Sequence, residues 1–193
     1  MSSVKEDLKR AALHLFTKKG YAGTSVREIV EEAKTTKPCL YYYFKNKEGI
    51  YLAILKDAME DFLKLLKKKY DKNLKPSEEI KRLCFFLFKK IKEKKEVVRL
   101  IHSYFYAPEQ GTPHFNFENF HKLFFDTLKD KVKKAVEEKE FQNRDREAMA
   151  FCFMALWNTL AEMRIAFPKK YNYEKFLEST LNLIINSFKR RNK

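Results

Sequence analysis

Residues 24–51 read TSVREIVEEAKTTKPCLYYYFKNKEGIY, and their spacing predicts two short helices, a tight turn between them and the start of a longer third. Ser25 with Glu28 three residues on is a capping box, in which the hydroxyl caps a free helical N–H and the carboxylate reaches back. Val26, Ile29, Val30 and Ala33 then share one face of about two helical turns. Thr36 is placed to cap the next helix, with Lys37 and Pro38 in its first turn, where proline's missing N–H costs nothing. Leu40 and Phe44, four apart, face inward and leave Lys37, Cys39, Tyr42 and Tyr43 at exposed or edge positions. Asn46 can cap a further helix from Lys47. Two short capped helices with polar and aromatic residues outward form the pattern of a DNA-reading helix-turn-helix.

Working outward, Phe16, Lys19-Gly20-Tyr21, Thr24 to Ile29, Lys37-Pro38 and above all Leu40 to Glu48 resemble the DNA-binding segment of the TetR family of bacterial transcriptional regulators. The resemblance covers roughly residues 5 to 60. It implies that Lys37, Pro38 and Cys39 lie at the major-groove floor, where Lys37 can donate to guanine O6 and N7. It makes Tyr42 a DNA-contacting aromatic, with Tyr41 and Tyr43 reaching phosphates or packing. Lys47 matches a phosphate-binding lysine at a helix N-terminus, Thr36 opens the reading helix, and Ser25 and Arg27 would touch the DNA backbone. One departure stands out: the family usually has Ala-Gly-Val-Ser at the turn, and this chain has Ala33-Lys34-Thr35-Thr36. A positive φ at Lys34 would strain the backbone by about 1 kcal/mol.

The chain has 193 residues with only four Gly and five Pro, and no alternating apolar runs, so an all-α fold is expected. Its net charge of +15 suits a nucleic-acid partner, yet residues 1–50 hold 10 Lys/Arg and 6 Asp/Glu, leaving +11 outside the motif. Much of that basicity belongs to solvated helix faces. The N-terminus carries charges where a signal peptide needs apolar residues. The longest apolar run, Ala148 to Trp157, falls short of the ~20 residues of a membrane helix. Three widely spaced cysteines argue against a disulfide framework and fit a cytoplasmic protein. Cys84 and Cys152 sit in apolar company and read as small core residues, while Cys39 lies near a helix N-terminus that would stabilise a thiolate.

Periodicity predicts a first helix from Lys5 to Lys19, closed by Gly20, and a long helix from Lys47 to about Tyr70. Asp71 to Lys75 is a polar break, and Ser77 is placed to cap the helix after it. Further helices are expected at 97–106, 115–141, 145–167 and 173–188, with a loop from Glu109 to Pro113. About nine helices result: an N-terminal three-helix DNA-binding domain over residues 1–48 and a helical ligand-binding and dimerisation domain over 49–193.

The four histidines show no i,i+4 pair and no cysteine at metal-ligand spacing. There is no G-x-S-x-G and no phosphate-cradling glycine loop. An enzyme is therefore not expected, nor a metal or other cofactor. The 18 Phe and ten Tyr fall mostly after residue 80. They suit either a phenylalanine-rich core or a roomy apolar pocket for a small molecule. Candidate linings are Phe85, Phe88, Tyr104, Phe120, Phe124, Met154 and Trp157. Asn158 and Glu162 are the polar groups at hand, and a buried Glu162 would favour a cationic ligand. The stretch from Ala148 to Trp157 is apolar on every side, which calls for a second buried face. Phe151 and Ala155, with Leu177, Leu181, Ile184 and Phe188 of the last helix, are the candidates for a four-helix homodimer interface.

These readings converge on a homodimeric regulator, a repressor in the first instance. It would bind an inverted-repeat DNA operator and be released by an apolar or aromatic small molecule, without a membrane partner. Two other classes stay open on sequence: an architectural DNA-binding protein without a ligand, and a basic helical module on an anionic membrane surface.

Overall fold

The computed structural model describes residues 3–66, 74–106 and 111–190. Among them nine α-helices follow one another: α1 (Val4–Lys19), α2 (Val26–Glu32), α3 (Lys37–Phe44), α4 (Lys47–Leu66), α5 (Pro76–Glu93), α6 (Lys95–Tyr106), α7 (Glu118–Glu137), α8 (Arg146–Ala166) and α9 (Tyr173–Phe188). The fold is all-α, as expected. The expected end of α4 at Tyr70, most of the polar break and the start of the loop at Glu109 lie outside the described residues.

The helices gather into two compact units, Met1–Asp61 with Lys94–Asn116, and Phe62–Glu93 with Phe117–Lys193. A boundary at residue 48 was expected; the first unit instead runs on through most of α4 and takes in α6. The cause lies in α4 itself. Tyr51 is fully buried and packs edge-on against Phe16 of α1 at 5.2 Å and Tyr21 at 5.1 Å. Lys9 of α1 pairs with Asp57 at 2.5 Å, and α6 packs along α1. Leu8, Ala12, Ile29, Leu40, Ile50 and Leu55 complete this core, each large side chain contributing roughly 1.5–3 kcal/mol by leaving water.

In the second unit α7 packs on α5 and α8, and α9 packs on α8 and α5. Its core is built from Ile80, Leu83, Leu87 and Phe88 of α5, Phe124, Leu128 and Val132 of α7, Phe153 of α8, and Leu177 and Leu181 of α9. Ser77 is not the cap of α5, because it lies inside the helix, buried. Glu140, sixty-three residues on, takes that role: its carboxylate accepts the Ser77 N–H at 3.1 Å and the Ser77 hydroxyl. Asp145 caps α8 and Asn172 caps α9 through their side-chain oxygens. Cys84 is buried as expected, and burial pushes its thiol up to about 12. Cys152 is exposed on α8 instead, so it is no part of the core.

Candidate nucleic-acid interface

The capping box at α2 is present in full. The Ser25 hydroxyl accepts the Glu28 N–H at 3.2 Å, and the Glu28 carboxylate accepts the Ser25 N–H at 2.8 Å. Lys19 adds an ion pair from α1, and together these bonds pull the Glu28 carboxyl down to about 2. At the other end of α2 the chain turns through Lys34 at φ +51°. The Thr35 N–H bonds the Val30 carbonyl at 2.9 Å and the Lys34 N–H bonds Glu31 at 3.1 Å. This pair of bonds is a Schellman closure with lysine in the left-handed position that glycine ordinarily fills.

The turn delivers α3 with Leu40 and Phe44 buried. The same periodicity forces the other face outward: Tyr42 is 82% exposed, Tyr41 48% and Tyr43 41%, with Lys37 and Pro38 also exposed and Cys39 half-buried. The rings of Tyr42 and Tyr43 meet edge-on at 5.0 Å. Thr36 occupies the cap position, yet its side chain makes no capping bond, contrary to expectation. The first N–H groups of α3 thus remain available for an anion such as phosphate.

The joint between α3 and α4 is close. Lys45 takes φ +65°, and the Asn46 N–H bonds the Phe44 carbonyl at 2.8 Å. Asn46 caps α4 by accepting the Gly49 N–H at 2.7 Å. A Cβ on Gly49 would lie 1.9 Å from the Phe44 carbonyl oxygen, so only glycine allows this approach. Lys47 also has partners within the chain. Its ammonium turns inward, donating to the carbonyls of Tyr21 at 2.9 Å and Thr24 at 2.8 Å, and sits 4.2 Å over the Tyr21 ring. Desolvation lowers its pKa. Two of its three donors therefore tie the α1–α2 connection to the start of α4, leaving one for a phosphate. Arg27 is exposed and paired with Glu31 at 2.7 Å. Sequence reasoning missed Gly49, whose signal is a glycine three residues beyond a capping asparagine.

Residues 8–54 match the family model for bacterial regulatory proteins of the tetR family. Over these residues the chain is similar to the DNA-binding segment of the TetR family. Among its curated relatives, the HTH-type transcriptional regulator RutR of Escherichia coli strain K12 is 37% identical over 67 residues, 35% of this chain and 32% of RutR. The IcaR negative transcriptional regulator of the biofilm operon icaADBC, from Staphylococcus epidermidis, is 34% identical over 86 residues, 45% of this chain and 44% of IcaR. The matched region thus spans a third to under half of the relatives' length. The likeness of fold extends further: SmeT in its triclosan complex superposes with a TM-score of 0.78 at 16% identity, covering 99% of this chain and 94% of SmeT.

Beyond this TetR-family DNA-binding segment, the expected pocket residues do not all assemble. Phe124 and Trp157 meet edge-on at 5.3 Å, and Phe62 of α4 joins both, at 5.7 and 6.0 Å, and Phe120 at 4.5 Å. Phe62 is not among the expected pocket linings; its place on the apolar face of the long helix is what the sequence showed. Phe88 is buried elsewhere, with the Arg164 guanidinium 4.6 Å over its ring. Phe85, Met154 and Asn158 are half-buried. Tyr104 belongs to the first unit, where its hydroxyl donates to the Phe115 carbonyl at 3.0 Å. Glu162 is exposed, so it supplies no buried anion for a cation.

The expected dimer residues divide in the same way. Leu177 and Leu181 are fully buried within the chain's own core, and Phe188 packs on Phe141 and Phe153, each at 5.9 Å. Leu177 and Leu181 therefore offer no surface to a second copy, while Phe188 is half-buried. Ala155 and Ile184 are half-buried, and Phe151 is 57% exposed. Phe176 and Leu183, seven apart on α9 and 49% and 71% exposed, form the outward apolar stripe in place of Leu177 and Leu181. Among the described residues no group of three or more His, Cys, Asp or Glu is placed to hold a metal ion. None of their helices is long and apolar enough to cross a membrane.

Proposed function

We propose that this chain is a repressor that binds an inverted-repeat operator as a homodimer and is released by a small apolar molecule. The observation that carries the reading is the outward face of α3. Leu40 and Phe44 anchor the helix, while Lys37, Pro38, Tyr41 and Tyr42 stand in solvent with the helix N-terminus open to phosphate. Lys37 donates to guanine O6 and N7, and Tyr42 contacts DNA beside it. The exposed Phe176 and Leu183 of α9 and Phe151 of α8 support a second copy on these helices, because an apolar face in water favours a partner. IcaR is named as a negative regulator, and SmeT has been solved with triclosan, which supports repression and an apolar effector here. Selection of bound sequences from randomised DNA tests the reading. An inverted repeat with half-sites about one helical turn apart, or a multiple of that, is the expected product. Recovery of sequences without two-fold symmetry would overturn it.

A further inference from the structure

Resting on the ligand-released reading, the second unit says something about the ligand's chemistry. The indole N–H of Trp157 is buried and meets no hydrogen-bond partner among the described residues, and Trp157 itself is only 9% exposed. Indole nitrogen is a donor without acceptor capacity, and a buried donor left unpaired is a standing destabilisation. Its neighbours are the rings of Phe62 and Phe124, which offer at most a weak π face. Phe124 is fully buried, whereas Phe62 and Phe120 are half-exposed and touch one another. Those two rings are the solvent-facing side of the cluster. The other buried polar atom of this kind, the Tyr51 hydroxyl, lies in the first unit beside Phe16 and Tyr21, whose ring is covered by Lys47.

We propose that the effector is an uncharged apolar molecule carrying a hydrogen-bond acceptor, a carbonyl or ether oxygen. It inserts where Phe62 and Phe120 meet and accepts the Trp157 N–H. The oxygen gains a donor that no other group among the described residues claims, and the apolar body replaces ring contacts of the same kind, so selectivity rests on the acceptor. A cation is disfavoured because Glu162, the carboxylate expected beside these rings, is exposed. Phe62 is a residue of α4 and Phe120 one of α7.

The test uses the full chain and two probes of nearly equal shape, benzophenone with an acceptor and diphenylmethane without one. Trp157 is the sole tryptophan, so the indole N–H gives one resolved signal in a nitrogen-15 correlation spectrum. Benzophenone is expected to move that signal downfield and to bind at least about tenfold more tightly than diphenylmethane, about one decade in Kd. Trp157→Phe, which keeps an aromatic ring, is expected to bind the two equally. Equal affinities in the wild type, an advantage for benzophenone that survives Trp157→Phe, or no response to either probe would each overturn the proposal. Operator binding is followed in the same samples. An indole response with operator affinity unchanged upholds the donor site and counts against release by ligand, which separates the two readings.

Discussion

Lys34 and Lys139 hold φ at +51° and +61°, each at the closing position of a helix where a side chain's Cβ crowds the backbone. The bonds are alike, with Glu140 N–H on the Ala135 carbonyl at 2.9 Å after α7 as Thr35 is on Val30 after α2. Glycine at Lys34 would remove about 1–2 kcal/mol of strain and return part of it as unfolded-chain entropy. Lys34→Gly is therefore expected to stabilise the chain by about 0.5–1 kcal/mol, read as a higher urea midpoint at unchanged slope. A lower midpoint would show that the lysine side chain makes a compensating contact. Glu28 gives a second residue-scale expectation. Its carboxyl sits at about 2 in the folded chain against an ordinary 4.5, with the Lys19 bond the largest cause and the Ser25 bonds next. A depressed folded pKa means that its contribution is whole above about pH 4.5 and is lost as the pH falls towards 2. Glu28→Gln should flatten that part of the melting-temperature profile between those limits; a profile superimposable on the wild type would refute the assignment.

Among the elements, α3 is backed by a close joint, where Gly49 meets the Phe44 carbonyl and Lys47 clasps the α1–α2 connection. The two lysines of this region should therefore fail differently. Lys37→Ala leaves the fold alone and blurs preference at particular base pairs by about 1–3 kcal/mol, seen in a competition series of mutated operators. Lys47→Ala removes two charge-assisted bonds to carbonyls, so it should lower stability by about 1.5–3 kcal/mol as well as weakening binding to all sequences. A Lys47→Ala chain that melts like the wild type yet loses one phosphate's worth of salt dependence would return that lysine to the DNA. These differences mark what the sequence could carry. The capping box at Ser25 and the burial of Leu40 and Phe44 are local patterns, legible from spacing. The inward turn of Lys47 and the replacement of Ser77 by Glu140 as the cap of α5 are not, because each depends on a partner 23 or more residues away.

At the largest scale, the nine helices of the described residues were legible because each apolar stripe repeats at helical period, and the likeness of fold to SmeT agrees. Which of two stripes meets a partner was not. On α9 the rows Leu177–Leu181 and Phe176–Leu183 are both apolar, and only the packing of α9 on α5 and α8 assigns the first to the core. The assignment makes the two rows separable by experiment. A charge at Leu181 enters a dry core without a partner and should unfold the chain, at a cost of several kcal/mol. A charge at Leu183, 71% exposed, costs the isolated fold little. In the proposed dimer it would be pressed against the equivalent charge on the second copy or against apolar side chains. Leu183→Glu is thus expected to leave the circular dichroism of the chain intact, to halve the mass seen by light scattering at micromolar concentration, and to weaken operator binding by removing the second half-site contact. If Leu183→Glu remains a dimer of unchanged mass, the shared face lies elsewhere, and Phe151, the most exposed aromatic among the described residues of this unit, becomes the next position to charge.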